Sequence, residues 1–206
     1  MTVECQMVVL PQKAALPLIP DLLDPAKIDA ACARVQDLIA KGEAELAANL
    51  VVKTSEDVKA VAETIEEVRY ATEFDPPQLP QNAPDKAELL KQWPVTGVTP
   101  TAFETRNVGT SLEVEPTLMS AGRLWRVKVT PAHVRFVRWA KTDAGKLANG
   151  EHIFVEQPIF HSVRNVNEVV LAAGQRALLG VHKLLEPKDT LELFLLRFTA
   201  APVKAP

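Results

Sequence analysis

From Thr2 to Val9 the chain alternates, with Val3, Cys5, Met7 and Val9 on one face and Thr2, Glu4, Gln6 and Val8 on the other. A period of two predicts a half-buried strand. The chain thus opens inside an element, which sets up the expectation of further sequence upstream. After the proline-punctuated LPQKAALPLIPDLLDP comes the clearest helix. Asp24 supplies the N-cap, Pro25 takes the first helical position, and Ile28, Cys32, Val35, Leu38 and Ile39 recur at helical spacing before Gly42. A helix from about Pro25 to Lys41 is expected to lay Ile28, Val35 and Ile39 on one face of a sheet. AELAANLVVKT reads as a strand, whereas DVKAVAETIEEVRY fits two templates. Val58, Val61, Ile65 and Val68 form a helical stripe, yet the β-branched residues of the same stretch suit a strand.

Phe74 to Pro100 is rich in proline, which fixes φ and removes donors, so it predicts a long surface connection with at most one short helix, Asp85 to Trp93. Beyond it the pattern turns to strands: TSLEVEPTL, RLWRVKVTP, HVRFVRWA, EHIFVEQP, NVNEVVLAAG, RALLGVHKL and LELFLLRFTA. Turn signals stand at Ala121-Gly122, Asn149-Gly150 and Ala173-Gly174. Gly174 is expected to join residues 163–172 and 175–181 as an antiparallel hairpin. The expected fold class is α+β and β-rich, mostly antiparallel sheet with one clear helix packed on it. A single module over residues 1–200 is expected: helix and strands over 1–73, the proline-rich connection over 74–100, a strand-rich part over 101–200. Residues 201–206 read as a loose tail.

Composition narrows the function classes. With 206 residues, 47% hydrophobic and 24% charged, the chain reads as a folded protein and not a disordered one. A net charge of -3 gives no global attraction to phosphate, so nucleic acid is not an expected partner. Cys5 and Cys32 have neither zinc-ligand spacing nor a disulfide pattern and read as buried thiols. The N-terminal stretch shows no export signal, and no uncharged apolar run is long enough for a membrane-spanning helix.

FETRNVGTSLEVEP, residues 103–116, resembles the signature strand of the secretin C-terminal module, from which the outer-membrane rings of type II and type III secretion and of pilus systems are built. EQPIFHSVRNVNEVVLAAGQRALLG, residues 156–180, is similar to that family's second conserved run. VECQMVV resembles the module's first strand, LIAKGEAELAANLVVKTSEDVKAVAETIEEVRY its helix and strand pair, and LELFLLRFTA its last strand. TEFDPPQLP is similar to versions from the Planctomycetes and Verrucomicrobia group. The resemblance implies strand over residues 58–70 and a place in the cell envelope, periplasm or outer membrane. It also implies a homo-oligomer, or other envelope and secretion-system subunits as partners, and leaves membrane contact open. Two departures matter. Gly180 is followed by Val181 where the family pairs two glycines, and VHKLLEPKDT, residues 181–190, stands where the family carries its proline- and glycine-rich gate segment. The amino-terminal ring domains are lacking too, so the chain alone is not expected to form a gated channel.

Glu113 and Glu115 share a face two residues apart, with Glu104 nearby, and paired carboxylates are what acid/base hydrolysis needs. The alternation with Leu112 and Val114 argues instead for a solvated strand face. His133, His152, His161 and His182 lack metal-ligand spacing and read as scattered strand or surface histidines. Ser111, Ser120 and Ser162 lack a nucleophile elbow, and Gly174-Gln175 belongs to no phosphate loop. Arg123, Arg126, Lys128, Arg135, Arg138, Lys141 and Lys146, interleaved with Trp125, Phe136 and Trp139, could meet an anionic polymer or lipid headgroups, but read more simply as outward strand faces. No catalytic residue, cofactor or metal is therefore assigned. The leading expectation is a noncatalytic structural module. Its alternatives are a soluble interaction domain derived from the same sheet and, third, a hydrolase that uses the glutamates.

Overall fold

The computed structural model describes residues 1–78, 91, 93–94, 96–119 and 124–200. The protein is β-rich, with antiparallel sheets and few helices. In chain order the elements are β1 (Thr2–Pro11), α1 (Gln12–Ala15), α2 (Ile19–Leu23), α3 (Ile28–Ala40), β2 (Glu45–Lys53) and β3 (Ala60–Asp75). β4 (Thr99–Leu118), β5 (Leu124–Lys146), β6 (His152–Arg164), β7 (Asn167–Ala172), β8 (Arg176–Lys183) and β9 (Thr190–Thr199) follow. A first sheet has the order β2-β1-β9-β8, and a second has the order β3-β4-β5-β6 with β7 also paired to β5. The turn expected at Ala121-Gly122 and the tail lie outside the described residues, as does nearly all of the helix expected from Asp85 to Trp93. No helix among the described residues is long and apolar enough to cross a membrane.

Two compact units divide the chain: Met1–Ile65, Gly109–Val134 and His161–Pro206 form one, and Glu66–Val108 with Arg135–Phe160 form the other. In the first unit the centre of the first sheet, where β1 and β9 lie side by side, is covered on both faces. Val3, Cys5 and Met7 of β1 and Phe194, Leu196 and Phe198 of β9 pack against Leu112, Val114, Trp125, Val127 and Val129 of the second sheet. The intervening residues Val8, Leu10, Leu191, Leu193 and Leu195 pack against α1, α2 and α3. β1 is therefore half-buried only at its start, and from Met7 to Leu10 it is buried on both sides. Each fully buried side chain of this kind stabilises by roughly 1.5 to 3 kcal/mol.

The α3 stripe faces the first sheet as expected, with Ile28, Ala31, Cys32 and Val35 buried and Leu38 and Ile39 partly so. Its start is corrected: the helix begins at Ile28, not Pro25. The Asp24 carboxylate accepts the Ala26 N–H at 2.9 Å and its carbonyl accepts the Lys27 and Ile28 N–H groups, so Asp24 closes a turn that precedes the helix. Two short helices, α1 and α2, occupy the stretch read only as proline-punctuated. Residues 60–75 form strand β3, as the resemblance implied and as their β-branched residues allow.

Two strand expectations are also corrected. RLWRVKVTP and HVRFVRWA are one strand, β5, which runs through Pro131. The N–H and C=O of a strand residue point to the same side, and the Pro131 carbonyl accepts the Asn165 N–H at 3.0 Å. The missing proline donor thus faces the junction where β6 gives way to β7, and no continuous ladder needs it there. The hairpin expected about Gly174 does not form: β7 pairs with β5 in the second sheet, and β8 pairs with β9 in the first. Gly174, at φ +90, carries the chain across from one sheet to the other, and its N–H donates to the Phe198 carbonyl at 2.8 Å. Splitting the two strands between the sheets lets Leu171 of β7 and Leu179 of β8 pack into the inter-sheet core from opposite sides.

The second unit is built from the remaining parts of β3 to β6. Strands lie about 4.8 Å apart, so β3 and β6, separated by two strands, would be roughly 14 Å apart in a flat sheet. Tyr70 of β3 and Phe160 of β6 nevertheless have ring centroids 5.9 Å apart, so their side chains lean toward each other over one face of the sheet and bridge its two outer strands. Phe136 joins Phe160 at 6.2 Å and Trp139 at 5.5 Å.

Gly109 of β4 has φ +130, and a Cβ built on it would lie 2.0 Å from the Thr64 carbonyl oxygen of β3. Gly109→Ala should therefore destabilise the fold by roughly 3 kcal/mol through a backbone collision and an unfavourable φ together. Gly174→Ala meets no neighbour within 4 Å and carries only the φ penalty of about 1 to 2 kcal/mol. Urea midpoints of the two variants should rank in that order.

Candidate functional site

In LELFLLRF, the sequence of β9, Glu192 has the parity of Phe194, Leu196 and Phe198 and so points between the sheets, where it is fully buried. A lone carboxylate there needs a partner. His133 of β5 provides it, with Nδ1 2.5 Å from Glu192 Oε1. His182 is the register partner of Glu192 on β8. Its Nε2 donates to Asn165 Oδ1 at 2.9 Å, and its ring stands edge-on to Phe194 at 5.4 Å. Asn167 Nδ2 donates to the Leu179 carbonyl at 3.1 Å. Burial holds the His182 imidazole below its ordinary value; Glu192 pulls it upward and His161 pushes it further down.

These side chains make a polar cross-link between the two sheets at one end of the inter-sheet core. Glu192 Oε2, Asn165 Nδ2 and Asn167 Oδ1 form no hydrogen bond within the described protein. A one-residue slip of β9 would turn Glu192 toward the helices and away from His133, so the pair discriminates against the wrong register. No group of three or more His, Cys, Asp or Glu among the described residues is arranged to hold a metal ion.

The glutamates singled out from the sequence each have a separate partner. Glu113 pairs with Lys59 at 2.7 Å, Glu115 with Lys128 at 3.6 Å, and Glu104 accepts the Tyr70 hydroxyl at 3.1 Å, which raises the tyrosine pKa. Leu112 and Val114 point inward between them, as the alternation predicted. A shallow trough of about 240 Å³ at Glu113 is lined also by Glu63, Ser111, Thr130 and Arg164, and by neither Glu104 nor a histidine.

His152 is an exposed histidine, 2.6 Å from Asp143, whereas His133, buried on β5, and His182, half-buried on β8, are strand histidines, as expected, but are brought together at Glu192 and not scattered. Of the basic stretch, Arg126 pairs with Glu168 at 3.2 Å and Lys141 with Glu156 at 2.9 Å, while Trp125 turns inward onto Phe198 at 5.6 Å. Ser120 and Arg123 lie outside the described residues. Cys5 is buried, its thiol pushed up to about 12 mainly by that burial and then by Glu4, and Cys32 is raised by burial as well. Glu192, Asn165 and Asn167 were not singled out from the sequence. The available signal was one acid inside an otherwise apolar strand.

His133→Ala leaves Glu192 buried without its partner and should cost about 3 to 5 kcal/mol, whereas His133→Leu with Glu192→Leu should recover most of that loss. The His182 pKa is lower folded than its unfolded value of 6.5, so its contribution to stability is complete above that pH. It is lost as pH falls through the folded value. Urea midpoints of the wild type should therefore drop more steeply below pH 6.5 than those of His182→Gln. Glu113→Gln with Glu115→Gln should change stability by less than about 1 kcal/mol, since exposed pairs contribute little; a defined activity lost in that double variant would revive the hydrolase reading.

Comparison of the chain with protein-family models, with curated proteins and with solved structures finds no match.

Proposed function

We propose that the chain is a noncatalytic structural module of a cell-envelope assembly, similar to the secretin core, acting through contacts between subunits. The observation that carries this reading is the arrangement of β3 to β6. They are 16, 20, 23 and 13 residues long, follow one another in space as in the chain, and leave β3 and β6 on the outside. Most strands in globular proteins are about 3 to 10 residues long.

An even number of antiparallel strands can be repeated without a break in polarity. β6 of one copy and β3 of the next would run antiparallel, so head-to-tail addition can close a ring in which neither β3 nor β6 is left as an unpaired edge. The exposed Val61 and Ile65 of β3 add apolar surface for such a contact. Residues 184–190 link β8 to β9 directly, the Leu184 N–H donating to the Thr190 carbonyl at 3.1 Å, which supports a module without a gate hairpin. The Ala-Gly-Gln stretch lends no support, because β7 and β8 pair elsewhere.

The alternative, a soluble interaction domain, draws on the Lys141–Glu156 and His152–Asp143 pairs of β5 and β6. A lysine carried into the bilayer midplane on a strand costs about 2 to 4 kcal/mol.

Light scattering after size exclusion, in buffer and in lipid nanodiscs, separates the two readings. A uniform closed oligomer is expected. Glu66→Pro and Glu67→Pro, tested singly, must between them remove one outward N–H of β3, and that variant should be monomeric with its fold intact. A monomer under every condition would rule out the ring and leave the soluble domain.

A further inference from the structure

Among the described residues β8 is an outer strand of the first sheet. Its edge does not simply meet solvent, because the layers on either side of the sheet extend past it. On one side stand Leu22, Leu23 and Ile28 of α2 and α3, on the other Val169, Val170 and Leu171 of β7, and the floor is β8 itself. They enclose an open groove of about 340 Å³, all within the first unit. Leu23 at its lip is 65% exposed and Val170 is 49% exposed, large apolar side chains without cover. The first sheet thus ends one strand short of the layers that flank it.

We propose that this groove accepts one extended segment of a partner protein, which pairs with β8 as a fifth strand and sends apolar side chains alternately toward α2 and α3 and toward β7. The open strand edge selects an extended backbone, since a helix has spent its N–H and C=O groups internally. Two apolar walls select apolar side chains on both faces of that strand, hence a short continuous apolar run.

Charge bears on one end of it. Arg176 is the one cation of β8 that lines the groove, which favours a carboxylate at that end of the segment; His182 and Lys183 lie past Leu179 and have their own partners, Asn165 and Asp189. Arg176 is held at 3.0 Å by Asp29, whose side chain is 82% exposed, so an incoming carboxylate can share or take over that contact. Asn167 already occupies the Leu179 carbonyl, which marks the far end of the open stretch. The inference stands apart from the ring reading, which uses β3 and β6 of the other sheet.

The test uses the full chain and a labelled synthetic peptide, Asp-Val-Ile-Val-Leu-Val-Glu, with two twins N-methylated on alternate residues. Saturable binding is expected by fluorescence anisotropy. One twin should bind about tenfold more weakly and the other nearly as well, because only one set of amides faces β8. Leu23→Asp and Val170→Asp should each weaken binding by about tenfold or more without shifting the melting temperature, as both side chains are exposed. Hydrogen exchange should show new protection at Leu178 and none at Ala177, whose amide faces β9. Absence of saturable binding, equal binding of all three peptides, or unchanged binding by both variants would overturn the proposal. So would a dimer that excludes the peptide and that Leu23→Asp dissociates, since a second copy would then fill the groove.

Discussion

The centre of the first sheet, from Met7 to Leu10 of β1 and from Leu191 to Leu196 of β9, is buried on both faces, and most of the fold depends on that constraint. The sheet is built around the ladder between β1 and β9, in register from Thr2↔Thr199 to Pro11↔Thr190. Pairing the first strand with the last closes nearly the whole chain into one loop, a contact of high sequence separation that must offset its own closure entropy. It does so by burying side chains on both sides: β9 has Leu191, Leu193 and Leu195 under the helices and Phe194, Leu196 and Phe198 against the second sheet.

That double burial explains the polar cluster. In a sheet with one wet face a glutamate among leucines would turn to water. In β9 both faces are covered where Glu192 lies, so its carboxylate must be satisfied from the facing sheet, and His133 supplies that contact. Neighbouring His182, in register with Glu192, extends the polar contact to Asn165 at the junction of β6 and β7. The same residues that would read as scattered titratable groups become a cross-link once two sheets stack.

The strand edges follow a similar logic. Among the described residues β1 and β9 lie inside the first sheet, while β2 and β8 are left outside; in the second sheet β3, β6 and β7 are outermost. Outer strands are where a β-rich protein meets partners or must defend itself against them. The proposed self-assembly and the proposed strand acceptor use different edges for that reason: β3 and β6 are long and accessible for repetition, whereas β8 lies in a slot with apolar walls.

Local patterns were enough to locate β1, β2 and β9, the stripe of α3, and the solvated glutamates of β4, because a period of two or of 3.6 records which face of one element is dry. Where short-range preference and long-range pairing disagreed, the long-range contacts decided. Gly174 looks like a hairpin turn, yet its flanking strands join different sheets, which lets Leu171 and Leu179 bury in the core between them. Pro131 looks like a strand end, yet β5 continues through it because its missing donor faces a gap in the pairing. The period of β9 says that Glu192 shares a face with Phe194 but not that the face is closed, since only the stacking of sheets removes water from it. The amino-acid sequence by itself determined which residues alternate and where the clear helix runs; the tertiary structure alone decided which strands pair, which edges stay open and which polar groups must answer one another, because those depend on residues distant along the chain being brought within a few ångströms.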